Sequence, residues 1–443
     1  MAVRSVSPKA SGKVQGIAGA ASLAAALCFG GAAFAQDAII EAGVVIVDAD
    51  SVPLNGQTIT VRDGRIISIV PSDGTGPEEA RAAGMPFIDL SDRTVLPGLI
   101  DLHTHLSGDP SGEFWRAATT PPEWYTLVAA KNARITAKAG FTTVRDVGSR
   151  TDQVMQSLRR ATEEGMLPGP RILTSARTIA IIGGHGDTNG FTAHVNDALA
   201  SDFACTGAVE CAQKVRLASK YGADLIKITA TGGVLSQQGR GLEAHFSDAE
   251  MRAIVDTANS LGLKVAAHAH GARGIEAAAR AGVHTIEHGT YLDEAAGRAM
   301  RDAGTTLIPT LMAFQGVNDG LGKGVYTPVV EAKIRDVAEV AQTIVTRALR
   351  YDVPIAFGTD AGVFPHGRNA GEFALMRAAG VSDRAAFASA TTTAAKVLGL
   401  QDEIGRIAAG YSADIIAVEG NPLEDVTILE NVEFSMVRGR VVE

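Results

Sequence analysis

Leu99-Ile100-Asp101-Leu102-His103-Thr104-His105-Leu106 is the stretch on which the reading of this chain turns. Strand side chains repeat every second residue, so His103 and His105 can point the same way from the end of a strand. Two imidazoles side by side make half of a metal site. Alone, a His-x-His pair is also an ordinary chance occurrence. Its weight depends on whether further ligands arrive at later strand ends.

Working outward, the chain on both sides of this stretch changes texture. Downstream, strand-like runs recur at 98–103, 141–146, 171–175, 224–229, 263–268, 283–288, 305–310 and 354–359. Helix-like stretches separate most of them, such as Ser247 to Leu261, which opens with the capping box Ser247-Asp248-Ala249-Glu250. Eight strands with intervening helices over about 300 residues predict an α/β fold, a (β/α)8 TIM barrel over 98–403. A doubly wound sheet is the rival, but its Gly-rich turn after the first strand is missing. Upstream, 36–97 reads as short strands such as 42–48, 57–61 and 65–70, with a tight turn at Asp63-Gly64. Residues 404–443 repeat that texture, with strands at 414–418 and 432–437. The two ends are therefore expected to pack together as one small β-sandwich domain.

Residues 1–35 are read apart. Arg4, Lys9 and Lys13 are their only charges, and an apolar run ends at Ala33-Phe34-Ala35. A basic start, an apolar middle and an A-x-A end predict a secretory signal peptide, with export and no stable membrane anchor after cleavage. The competing reading is an uncleaved anchor, because the run is about long enough to span a bilayer. Cleavage would take the formal charge from −9 to −12. An acidic chain lacks the basic face that nucleic acid requires. Export would leave Cys205 and Cys211 in an oxidising compartment as candidates for a disulfide, although spacing alone does not bring their Cα atoms together.

Collecting the polar residues at the C-terminal strand ends, where a barrel of this type carries its chemistry, gives a short set. His103 and His105 end strand 1, Lys227 lies near the end of strand 4, His268 ends strand 5, His288 ends strand 6, and Asp360 follows strand 8. Singly, each has a plain explanation as a hydrogen-bonded polar residue or a helix cap. Lys227 is the exception, because a lysine inside Leu225-Ile226-Lys227-Ile228 must be paired, modified or costly to bury. Together they point to a metal centre. Weaker candidates surround it. His185 and His270 could bind a substrate carbonyl or carboxylate, Gly232 and Gly233 could let the backbone approach a substrate, and Arg240 and His245 could read a side chain or carboxylate. Loop structure is the plain alternative for each. His284 is expected to be core.

The sequence resembles the amidohydrolase superfamily over almost the whole mature chain. The resemblance rests on Pro97-Gly98-Leu99-Ile100-Asp101-Leu102-His103-Thr104-His105 and on Gly405-Arg406-Ile407 through Asp414-Ile415. Ile226-Lys227-Ile228-Thr229-Ala230-Thr231-Gly232-Gly233, Ala267-His268-Ala269-His270-Gly271 and Thr285-Ile286-Glu287-His288-Gly289 look like its binuclear, prolidase-like branch, which also contains ochratoxin-hydrolysing enzymes. The resemblance implies two zinc ions. His103, His105 and Asp360 would hold one, His268 and His288 the other, with carboxylated Lys227 and a hydroxide bridging both. Asp360 would act as proton shuttle. Single-metal deaminases of the superfamily carry a Glu three residues after the strand-5 His and lack the bridging Lys; here that position is Gly271 and Lys227 is present. The expected activity is cleavage of the amide of a dipeptide-like or N-acyl amino acid substrate with a free carboxylate. Hydrolysis of a toxin amide such as ochratoxin A is the alternative, and a non-catalytic metal-binding barrel is the alternative of another class. The resemblance also implies a homo-oligomer.

Overall fold

Asp63 and Gly64 both adopt positive φ (48° and 74°), the geometry that a two-residue hairpin turn demands. They join β2 (Leu54–Arg62) to β3 (Arg65–Pro71), and β2 pairs antiparallel with β1 (Ala38–Val45). β1 also runs parallel to β4 (Phe87–Pro97). This is a computed structural model describing residues 36–443 apart from 111, 112, 150, 152, 239 and 240. The expected leader, 1–35, and the candidate Arg240 lie outside the described residues.

The barrel follows directly. Its strands are β5 (Leu99–Thr104), β6 (Phe141–Asp146), β7 (Arg171–Thr174), β8 (Thr178–Ile181), β10 (Leu225–Thr229), β11 (Lys264–Ala269), β12 (Thr285–His288) and β13 (Thr306–Ile308), with a two-residue β9 (Ala204–Cys205) outside the ring against β8. β7 and β8 are two halves of one staggered position: β7 pairs with β6 and β8 with β10. The break falls at Ala176, whose φ is +62°. Residues 354–361 close the ring. Leu307 donates to Pro354 O at 2.8 Å, Leu102 to Phe357 O at 3.1 Å, and Asp360 to His103 O at 2.7 Å. All the inter-strand pairings of the ring are parallel, with every residue of β5, β6, β10 and β12 buried, as a sheet covered on both faces requires. The capping box at Ser247 forms as expected and starts helix Asp248–Ser260.

β14 (Ile415–Val418), β15 (Phe434–Val437) and β16 (Arg440–Val441) return to the first sheet. They complete the order β16-β15-β14-β4-β1-β2-β3. Ile66 of β3 exchanges backbone bonds with Tyr411 and Gly410 (2.9 and 2.8 Å), so the sheet folds back on a core of its own. Ile40, Ile59, Ile66, Val95, Ile415 and Met436 fill it, drawn from both ends of the chain. Pro97-Gly98 passes straight from β4 into β5, so the sheet domain fixes where the His103 strand begins. Gly98 is obligatory there: a Cβ would lie 2.1 Å from Thr142 Oγ1. Cys205 and Cys211 are joined, with Cα atoms 5.1 Å apart, and tie β9 to helix Ala208–Lys220.

Candidate active site

The C-terminal ends of β5, β11 and β12 and the start of the loop after 354–359 converge at one mouth. His103 and His105 rings are 5.5 Å apart, His103 and His288 5.1 Å, and His268 and His288 4.6 Å. Two residues reach the mouth through left-handed backbone: His288 at φ +72° and Asp360 at φ +63°. Such conformations cost about 1–3 kcal/mol in a non-glycine residue and survive where surrounding structure imposes them. At His288 the turn breaks the two-residue alternation of the strand, so consecutive Glu287 and His288 both approach His103.

Each imidazole is held by one nitrogen, which turns the other toward the mouth. His103 Nδ1 donates to Glu287 Oε2 at 2.7 Å, and His105 Nδ1 to Gly148 O at 2.8 Å. His288 Nδ1 pairs with Thr310 Oγ1 at 2.7 Å, and His268 Nε2 donates to Gly232 O at 3.2 Å. Burial, the largest effect, holds His103, His268 and His288 well below the usual imidazole range, so each keeps a lone pair at neutral pH. Asp360 Oδ1 sits 3.5 Å from His103 Nε2 and 3.3 Å from His105 Nε2. It is buried and, among the described residues, accepts no hydrogen bond. A buried carboxylate oxygen set 3.3–3.5 Å from two imidazole nitrogens is a donor arrangement that a cation between them would satisfy.

The donor atoms fall into two overlapping groups able to hold a metal ion. His103, His288 and Asp360 form one; His268, His270 and His288 form the other, with the ligand atoms of each group within 4.8 Å of one another. Lys227 is buried on β10, 3% exposed. Burial pulls its pKa down to about 8, against the opposing pull of Glu287 and Asp360. Burial likewise raises Asp360 to about 7, with Lys227 opposing. The residue set therefore fits a metal centre.

The weaker candidates divide. His185 and His270 join the mouth: their rings lie 4.3 and 4.5 Å from His268, and His270 Nδ1 is fixed by Thr290 Oγ1 at 2.6 Å. Gly232 and Gly233 are glycines for packing reasons. A Cβ on Gly232 would meet Gly241 O at 2.1 Å, and one on Gly233 would meet His185 Nδ1 at 2.3 Å. His245 sits behind them, its ring 3.3 Å from where a Gly232 Cβ would be. His284 is half-buried and takes the Val265 N–H at the far end of β12.

Several positioning groups escaped the sequence reading. Glu287 Oε1 accepts from Arg145 Nη2 at 2.8 Å and Thr285 Oγ1 at 2.5 Å, forming a buried ion pair inside the barrel behind His103. Asp101 accepts from His103 N, Thr359 N, Thr359 Oγ1 and Asn369 Nδ2 (3.0, 3.1, 2.6 and 2.8 Å) and so locks β5 to the Asp360 segment. Glu372 accepts from Leu311 N and Met312 N (2.8 and 2.7 Å), fixing the turn that presents Thr310 to His288. A charged residue flanked by apolar ones is the signal that picked out Lys227 in Leu225-Ile226-Lys227-Ile228; Arg145 and Glu287 each have a polar neighbour, Asp146 and His288, and so stood out less.

Residues 94–442 match the Amidohydrolase family model. The chain belongs to the amidohydrolase family. This amidohydrolase is 29% identical over 416 residues to ochratoxinase of Aspergillus niger, covering 89% of this chain and 84% of that one. A solved Xaa-Pro dipeptidase with methionine bound in its active site is 37% identical and superposes with a TM-score of 0.82, over 92% of this chain and 99% of that one. A prolidase complexed with N-methylphosphonate-L-proline is 30% identical with a TM-score of 0.79, over 92% and 99%. The amidohydrolase is accordingly a barrel hydrolase acting on amide bonds, which sets aside the non-catalytic barrel.

Proposed function

We propose that this amidohydrolase is a two-metal enzyme that cleaves the amide of a dipeptide-like or N-acyl amino acid substrate bearing a free carboxylate. The carrying observation is the pair of donor clusters that share His288, which offers two cation positions side by side on one barrel mouth. His103, His105 and Asp360 would hold one divalent ion, zinc, and His268 and His288 the other; the donor clusters add His288 to the first set and His270 to the second, and His105 reaches the first through its Nε2, 3.3 Å from Asp360 Oδ1. Lys227 would be the bridging ligand. Burial lowers its pKa to about 8, so a larger share of it is free amine near neutral pH than in an exposed lysine, and that form adds to the carbon of CO2 and releases one proton to give the carbamate. When bound, the ions polarise the scissile carbonyl and lower the pKa of an attacking water.

The chain's own residues do the rest. Asp360, raised to about 7 by burial, is suited to take a proton from water and return it to the leaving amine near neutral pH. His185 and His270 orient the substrate carbonyl and carboxylate. Burial lowers His270 to about 3, so it works as a neutral hydrogen-bonding group. The amino acid in the dipeptidase relative and the proline phosphonate in the prolidase relative support a carboxylate-bearing amino acid half. The ochratoxinase relative favours a second reading, a toxin amide such as ochratoxin A. The Cys205–Cys211 bond supports export to an oxidising compartment after removal of a 35-residue leader. Assay against a panel of Xaa-Pro and basic dipeptides, N-acyl amino acids and ochratoxin A tests the reading. Cleavage of carboxylate-bearing amides over their C-terminal amides is expected; no cleavage of any member overturns it.

A further inference from the structure

Lys333 is a lysine on helix Pro328–Ala341 that the chemistry above does not use, yet it is only 7% exposed. Its ammonium group donates to the carbonyls of Gly233 at 2.8 Å, Ser236 at 2.6 Å and Gln238 at 3.4 Å. An ammonium carries three N–H groups, so each finds an acceptor. All three acceptors belong to the loop that follows β10. That loop carries Ser236, whose Oγ pairs with His185 Nδ1 at 2.7 Å, and Gly233, whose Cα packs on the His185 ring. Its neighbour Gly232 accepts from His268. Thr327, just before the same helix, donates to Gln237 Oε1 at 2.7 Å, so the loop is held at a second point. Burying a charge is costly unless it is fully hydrogen-bonded, and carbonyls directed at one ammonium are an arrangement no neutral side chain of that length reproduces. Burial lowers Lys333 to about 8, which leaves the ammonium form in the majority at neutral pH.

We propose that Lys333 is a positioning residue of the active site: by clamping the carbonyls of the 233–238 loop it fixes Ser236 and, through Ser236, the His185 ring at the substrate position. The proposal rests on the reading that His185 contacts substrate, so its test has an arm that needs no substrate. Hydrogen exchange by mass spectrometry compares the full chain with Lys333→Met, and with Lys323→Met as an exposed control. Amides of 232–238 are expected to exchange at least tenfold faster in Lys333→Met and unchanged in Lys323→Met. With the best dipeptide of the panel, KM is expected to rise about tenfold, kcat to stay within threefold, and bound metal per chain to stay at the wild-type value. Lys333→Gln, which keeps two donors, is expected between wild type and Lys333→Met, and replaces Lys333→Met if that variant does not fold. Wild-type exchange of 232–238 in the folded variants overturns the clamp. An unchanged KM with a fallen kcat overturns the link to His185. If the wild type cleaves no amide, the functional reading fails while the exchange arm still decides the clamp.

Discussion

Glu287→Gln probes the buried frame behind the proposed metal ligands. The substitution preserves shape but removes the charge that pairs with Arg145 at 2.8 Å and orients His103 at 2.7 Å, in a carboxylate that is wholly buried. Arg145 is left as an uncompensated guanidinium only 5% exposed at its side chain. Breaking a buried pair from one side costs about 3–5 kcal/mol, roughly two to four decades in the folding equilibrium. Because Glu287 also fixes the tautomer of His103, metal affinity should fall by about 10–100-fold. Urea unfolding and zinc competition with a chromogenic chelator measure the two effects on one preparation. Replacing both partners together, Arg145→Met with Glu287→Met, separates them: stability should return to near wild type because no charge is stranded, while zinc affinity stays weak. A Glu287→Gln loss below about 1 kcal/mol, or a double variant with wild-type zinc affinity, would refute the reasoning.

Lys227→Ala should remove the proposed bridging ligand, so bound metal per chain falls and hydrolysis drops about a hundredfold; full metal with unchanged activity contradicts the bridge. Glu372 is held at about 8 by burial, above the 4.5 of an exposed glutamate, so the folded state binds the extra proton. Stability from this group is therefore full at low pH and declines as pH rises between 4.5 and about 8, by at most about 1.4 kcal/mol per pH unit. Glu372→Gln should flatten that slope in unfolding curves taken across the window, and an unchanged slope would count against it. Gly233→Ala places a carbon 2.3 Å from His185 Nδ1, so KM should rise at least fivefold with metal content intact; wild-type kinetics would show that the ring is not confined there. Cys205→Ser with Cys211→Ser opens only a short loop, and calorimetry should show a loss of about 2 kcal/mol.

Much of the fold was legible because the barrel strands announce themselves as apolar runs ending in a polar ligand type. Strand starts such as Phe141 and Arg171 match their expected positions. β4 is not marked by its sequence because Ser91-Asp92-Arg93 interrupts its apolar pattern; Ser91 and Asp92 are exposed and Arg93 half-buried, between buried Leu90 and Thr94. β8 was missed because Ala176 kinks the third strand position, which splits one run into two four-residue pieces. The eighth closing segment was expected as a strand; it is extended and hydrogen-bonded to β5 and β13 but makes only isolated bridges, Ile355 to Leu307 and Ala361 to Thr104. At the site, His103, His105, His268, His288, Lys227 and Asp360 could be picked out by strand position. The supports could not, because Lys333, Glu372 and Thr310 lie on helices and turns far away in sequence. No periodicity marks which distant carbonyl or N–H they will meet.

The measurement that bears most directly on the whole account is amide hydrolysis by the metal-stripped full chain before and after addition of zinc and bicarbonate, with bound metal counted on the same sample. No turnover is expected without metal, and activity should rise until two ions are bound per chain. A chain that binds no metal and gains no hydrolysis, or one that cleaves amides equally well without metal, would contradict it.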